Sequence, residues 1–239
     1  MAMKKIEQLA GKLLHFPIQI ALDGPAASGK STTARQIARE LDLLYIDTGA
    51  MYRAFTYAVL QEKTDWQDTT AIQKLLNTTQ IEFRYRDGNL RIFLNQFDIS
   101  EPIRYPQVSG FVSEIAAIPE VRYNMVWRQQ QMAKTEDSIL DGRDIGTVVL
   151  PHAHLKIYMV CSLEARTERR WRELSDKGIM ISSEAVRQDI EKRDRIDSQR
   201  SVGPLQQAAD AILLDTSALS IGQQVSKVIE LLEKRLQLL

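Results

Sequence analysis

Gly24-Pro25-Ala26-Ala27-Ser28-Gly29-Lys30-Ser31 has the spacing G-x-x-x-x-G-K-S, with Thr32 directly after it. Glycines at those places let successive backbone N–H groups turn toward one point, and a helix starting there adds its positive end. Lys30 would then reach the β- and γ-phosphates of a nucleoside triphosphate, and the Ser31 hydroxyl would ligate Mg²⁺. The competing reading is a glycine turn that matches by chance. The apolar run before the segment and the helical spacing after it argue against that. Switch GTPases, motor-like ATPases and small-molecule kinases all use such a loop. No guanine-reading N-K-x-D segment is present, and a motor domain would be larger.

Arginine outnumbers lysine 19 to 12, and nine of the 19 fall between Arg143 and Arg200. A guanidinium offers a planar fork of donors matched to phosphate oxygens, so several forks in one cleft point to transfer between phosphate groups. Arg193, Asp197 and Arg200 continue the helical face begun by Val186 and Ile190. Either that face enters a charged cleft, or Arg193 and Asp197 form an intrahelical pair. Arg166, Arg169 and Arg170 also share a face. They read as a lid over a triphosphate, or as a solvated face balanced by Glu164, Glu168 and Glu173. Asp141-Gly142-Arg143-Asp144 follows a strand, where ligand residues of a parallel sheet collect. Asp141 could hold a water on Mg²⁺ or cap a turn. Asp47-Thr48-Gly49-Ala50-Met51-Tyr52-Arg53 follows another strand, with Thr48 placed as a helix N-cap. His152 and His154 have no carboxylate or cysteine cluster around them to make a metal site. Cys161 reads as a buried structural thiol.

The elements that must hold these residues alternate between strand and helix. Ile18–Leu22 reads as a strand, 31–41 as a helix, Leu43–Ile46 as a strand and 48 to about 61 as a helix. That rhythm is the signature of a parallel sheet covered on both faces. It breaks where Ile81, Phe83 and Tyr85, then Leu90, Ile92 and Leu94, alternate about Asp87-Gly88, which reads as a β-hairpin. We therefore expect an insert over residues 65–112. Beyond it the sequence predicts a helix from Pro119, strands Ser138–Leu140 and Leu155–Val160, helices at 163–175 and 183–199, strand Ala211–Leu214 and a final helix from about 219. Ile6, Leu9, Leu13 and Phe16 give residues 1–16 one apolar stripe, a short helix on the core rather than a membrane-surface segment.

Across 239 residues, 31 basic side chains balance 31 acidic ones, which argues against broad attraction to nucleic acid or an anionic membrane. One cysteine makes no internal disulfide, and no apolar run is long enough to span a bilayer. The expectation is a cytoplasmic α/β protein, a monomer, with small-molecule partners.

GPAASGKST, DTGAMYR, DGRDIGTVVLP, RDRIDSQR and DAILLDTSALS occur in this order from residue 18 to about 235, and the set resembles the bacterial-type cytidylate kinases. The resemblance implies a P-loop NTPase fold of the nucleoside-monophosphate kinase type: a five-stranded parallel sheet flanked by helices, a lid and a small antiparallel insert. It divides the chain into an N-terminal helical extension (1–16), a core (17–64 and 113–239, lid about 163–182) and a monophosphate-binding insert (65–112). ATP and CMP or dCMP would be the substrates, with Mg²⁺. Gly24 through Thr32, with Arg166 and Arg170, would bind ATP. Arg53, Arg143 and Arg193 would clamp the CMP phosphate, Thr48 would lie beside it, and Asp197 would contact the ribose. Ser113, Arg122, Asp144 and Arg200 would surround the pyrimidine. Lys30, Arg143, Arg193 and Arg170 would be the catalytic set, and Ser31 and, through water, Asp141 would hold the metal. Thr48 stands where some members have Ser, His152 where Asp is common, and Gly203 where Ala is usual. The remaining alternatives are another P-loop small-molecule kinase, of UMP, uridine or shikimate type, and a nucleotide-switched binding protein.

Overall fold

A strand that is apolar on both faces needs cover on both faces, and Gln19–Asp23 (β1) shows the consequence. Ile20 and Leu22 point into one buried cluster and Ala21 into another, so each side of the sheet has its own core. The structure, a computed structural model, describes residues 5–11, 15–86 and 89–238. After α1 (Lys5–Ala10) and β1 come α2 (Lys30–Leu41), β2 (Leu44–Asp47), α3 (Thr48–Gln61), α4 (Thr69–Thr78), β3 (Ile81–Arg86), β4 (Asn89–Leu94) and β5 (Phe97–Asp98). A 3₁₀ turn (Pro102–Arg104) leads to α5 (Pro106–Ala117), α6 (Pro119–Met132), β6 (Ser138–Gly142), a π-helical turn (Ile145–Val149) and β7 (Leu155–Val160). Then follow α7 (Leu163–Asp176), α8 (Ser183–Gln199), β8 (Ile212–Asp215) and α9 (Ile221–Leu236).

The main sheet is parallel, in the order β2-β6-β1-β7-β8. Chain order reverses about β1, so its carboxyl end, where the glycine loop begins, lies at the switch point that favours ligands. On one side α2 and α9 cover the sheet with Ile37, Leu41, Val225, Val228 and Leu232. The stripe on α9 has helical spacing, and Ser220 and Gln223 form a reciprocal capping box at its start. On the other side Met51, Phe55, Ile115, Val121 and Met125 pack on Ile46 and Leu140. Because α3, α5 and α6 carry those residues, they also carry polar side chains to the strand ends.

The second sheet is antiparallel, β3-β4-β5, with Ile81 opposite Leu94 and Phe83 opposite Ile92. The alternation of the hairpin is therefore present; the Asp87-Gly88 turn lies outside the described residues. Sequence reading missed α4, β5 and α5, and the expected end of the insert, residue 112, falls inside α5. At the N-terminus the helix is shorter than expected. It ends at Ala10, Gly11 turns it with φ +67°, and Phe16 lies outside it, stacked on His154 at 5.3 Å. Leu13 is outside the described residues. No helix among the described residues is long and apolar enough to cross a membrane.

Candidate active site

The glycine loop leaves β1 at Gly24, whose φ of +149° suits glycine alone. A Cβ there would stand 2.2 Å from the Met159 carbonyl oxygen on β7. The loop is tied down from behind. The Thr216 hydroxyl, fully buried just past β8, donates to the Ser28 carbonyl at 2.9 Å, and Arg169 donates to the Thr216 carbonyl at 2.6 Å. Thr33 donates to Gln224 of α9 at 2.8 Å. Asp194 of α8 accepts the Ala26 N–H at 3.3 Å and pairs with Arg166, which also reaches the Ala26 carbonyl at 3.3 Å.

Lys30 is buried, and its ammonium donates to the Pro25 carbonyl at 2.7 Å. Burial, then the charge of Arg143, pushes its pKa down to about 7. Ser31 donates to Asp141 at 2.6 Å, and Tyr45 donates to the other Asp141 oxygen at 2.8 Å. Burial and the neighbouring Asp47 push the Asp141 carboxyl up. Asp141 lies within β6, so it does not cap a turn; hydroxyl and carboxylate together at the loop fit a hydrated Mg²⁺. Asp23, at the end of β1, accepts the Ile145 and Gly146 N–H groups at 2.8 and 2.7 Å, capping the π-helical turn. Its burial raises it to about 6.

Beside the loop the arginines converge. Arg143 donates to Asp197 at 2.8 Å, and Arg200 stands 3.8 Å from the same carboxylate. The intrahelical Arg193–Asp197 pair is absent. The nearest acid to Arg193 is Asp189 at 3.9 Å, while Asp197 is drawn across to Arg143. Burial, then Arg143, lowers the pKa of Arg193, and Arg53 adds to that repulsion. Arg53 leans on Asp47 at 3.2 Å. Deeper in, Arg122 pairs with Asp144, Arg200 approaches Asp144 at 3.5 Å, and the Arg122 guanidinium lies 5.4 Å from the centre of the Tyr52 ring. Ser113 is buried on α5. Three of these arginines keep a buried Nε that donates to nothing among the described residues, Arg53, Arg122 and Arg193, and the buried Nη2 of Arg200 has only the Asp144 carboxylate at 3.5 Å. Buried donors without acceptors are costly, and here they ring one cleft beside a phosphate loop.

The cytidylate kinase family matches residues 20–234. The chain belongs to that family. A cytidylate kinase of Lactobacillus gasseri is 44% identical over 224 residues, covering 94% of this chain and 97% of its own. One from Bacillus cereus is 47% identical over 214 residues (90% and 95%). One from Oceanobacillus iheyensis is 46% identical over 212 residues (89% and 92%).

Within this family member, three sequence expectations are corrected. Thr48 is not the N-cap of α3. Asp47 is, accepting the Ala50 N–H at 2.7 Å, while the Thr48 hydroxyl donates to the Asp141 carbonyl at 2.7 Å. Cys161 is only half-buried, with Arg169 3.3 Å from its sulfur. The Asp141-Gly142 pair belongs to β6 rather than following it. Of the α7 arginines, Arg166 and Arg169 reach the glycine loop, whereas Arg170 pairs with Glu173 at 2.7 Å on its own helix. Asp23, Tyr45, Tyr52, Asp194 and Thr216 are site or support residues that sequence reading did not single out.

Proposed function

We propose that this chain transfers the γ-phosphoryl group of ATP to CMP or dCMP, giving ADP and CDP or dCDP. The unmatched guanidinium nitrogens around the cleft carry this reading. A nucleoside monophosphate supplies the phosphate oxygens and polar base edge they lack, and an acceptor without a phosphate, such as shikimate or uridine, leaves several of them unmet. An oxygen of the acceptor phosphate attacks the γ-phosphorus, and the bond to the β–γ bridging oxygen breaks. That acceptor oxygen is already anionic at neutral pH, so no general base is required. The protein's part is alignment and charge neutralisation. Arg53, Arg143 and Arg193 fix the acceptor phosphate, and Lys30 meets the β- and γ-phosphates. Asp144 accepts from the cytosine amine, and Arg122, Arg200 and Ser113 meet the ring's other polar atoms. Ser31 and, through water, Asp141 would hold Mg²⁺, which when bound neutralises charge on the phosphate oxygens.

In the same reading residues 65–112 bind the monophosphate, and the segment about 163–182 closes over ATP with Arg166 and Arg170, excluding water as a competing acceptor. We assign the protein to the cytoplasm as a monomer. The test is ADP formation in the presence of CMP, dCMP, UMP, AMP, uridine and shikimate in turn. CMP or dCMP should give the highest kcat/KM, and failure of both to raise ADP production above background overturns the assignment.

A further inference from the structure

A second concave site lies at the β2 edge of the main sheet, between α2 and the antiparallel sheet. It is a cavity of about 240 Å³, and four arginines line it: Arg35, Arg39, Arg91 and Arg104. None of them is among the arginines that converge beside the glycine loop. Among the described residues none has a carboxylate within 4.0 Å or a hydrogen-bond acceptor. Some other surface arginines find acids, as in Arg84–Glu82, Arg172–Glu168 and Arg187–Glu191. Two acids also line the cavity, but Asp47 is occupied with the Ala50 N–H and Arg53. Glu101 is exposed and pairs with none of the four. Arg35 and Arg39 stand four apart on α2, a like-charged spacing that costs stability in a helix. Arg35, Arg39 and Arg104 are exposed and Arg91 is half-buried, so an anion in this space has four guanidinium groups within its lining to meet.

We propose that this cavity binds a small polyphosphate chain of two or three phosphate groups, at a site separate from the catalytic cleft. With its arginines, Asp47 and Glu101 charged, four positive charges against two negative leave a net +2 on its wall. Two forks for each of two phosphates is the bidentate arrangement that guanidinium favours. The volume admits a short chain. Tyr45 and Phe83 add aromatic surface, with the Arg35 guanidinium 5.9 Å from the centre of the Tyr45 ring. The wall also joins the catalytic cleft, since Tyr45 holds Asp141 and Asp47 holds Arg53. The site does not depend on which acceptor the kinase uses.

The probe is inorganic tripolyphosphate, titrated calorimetrically into the full chain. The wild type should bind two equivalents, one in the glycine loop and one here. The double variant Arg39→Ala/Arg91→Ala should bind one. The variant Arg39→Lys/Arg91→Lys keeps charge and loses the forks, and should weaken one of the two events about tenfold. It carries the test if the alanine variant fails to fold. A single equivalent in the wild type, or two unaltered equivalents in the variants, overturns the proposal. So does tighter, arginine-dependent binding of a short single-stranded oligonucleotide. A parallel titration with a non-hydrolysable nucleoside triphosphate identifies the source. Equal affinity at this site means the phosphate chain alone is read, and tighter binding means the nucleoside packs on the aromatic wall.

Discussion

Lys30 sits where burial and its intended ligand pull its proton in opposite directions. Folded and without nucleotide, it releases its proton near pH 7, whereas an exposed lysine keeps it to about 10.5. The unfolded chain therefore binds more protons between those values, and this group's contribution to stability rises as pH rises through that window. A triphosphate reverses the balance by placing several negative charges against the ammonium. Binding of Mg·ATP should then be accompanied by proton uptake at Lys30, larger at pH 8 than at pH 7. Calorimetry in buffers of different ionisation enthalpy measures this, and binding that takes up no proton at pH 8 contradicts it. Arg193 makes the complementary case. Its Nε is buried without an acceptor, so its role is expected only when the acceptor phosphate arrives. Arg193→Ala should lower kcat/KM for CMP about 10²–10³-fold while leaving the Kd for ATP within about twofold. Unchanged CMP turnover in that variant removes Arg193 from the phosphate clamp.

At the scale of elements, β8 and α8 hold the glycine loop from opposite sides, and neither role is visible in its own segment. Thr216 caps nothing on its own strand; its hydroxyl lies 2.9 Å from the Ser28 carbonyl, 188 positions back, and 3.0 Å from the Val160 carbonyl of β7. Thr216→Val keeps the shape and removes that donor. It should cost about 1 kcal/mol of stability and raise the KM for ATP several-fold with little change in the KM for CMP. Equal rises in both KM values would mean a general loosening instead. The helices were largely legible in the sequence because their signal is local. Val186 and Ile190 already mark the face that Asp197 and Arg200 continue, and Pro119 and Ser220 mark helix starts. What stayed hidden is held together by distant contacts. Asp23 meets Ile145 across 122 positions, Tyr45 meets Asp141 across 96, and Asp194 meets Ala26 across 168. The same limit explains Thr48. Its hydroxyl suits a cap locally, but Asp141 lies within reach and Asp47 takes the cap. The α7 arginines were ambiguous for a related reason, since partners on α8 and in the glycine loop separate Arg166 from Arg170.

For the whole molecule, equal numbers of acids and bases hide a very uneven field. Arginines from α3, α6, α8 and the segment after β6 converge on one cleft. Asp47, Asp144 and Asp197 neutralise them only in part, leaving several buried N–H groups unmatched. The folded state carries that repulsion and those orphaned donors until an anion enters. CMP at about 100 times its Kd should stabilise the fold by about 2.7 kcal/mol through mass action alone, which for a chain this long raises Tm by about 5–10 °C. The phosphate makes the difference: on the proposed assignment, cytidine at the same concentration would meet Arg122, Asp144 and Arg200 but would leave Arg53, Arg143 and Arg193 without an anion. Its shift should be no more than about 1–2 °C, the size expected from weak binding. Raising salt should shrink the CMP shift, because part of the gain is electrostatic, and should leave the cytidine shift nearly unchanged. Thermal unfolding with CMP, cytidine and phosphate in turn reads all of this. A cytidine shift equal to that of CMP would mean that the arginines serve the fold rather than the acceptor phosphate.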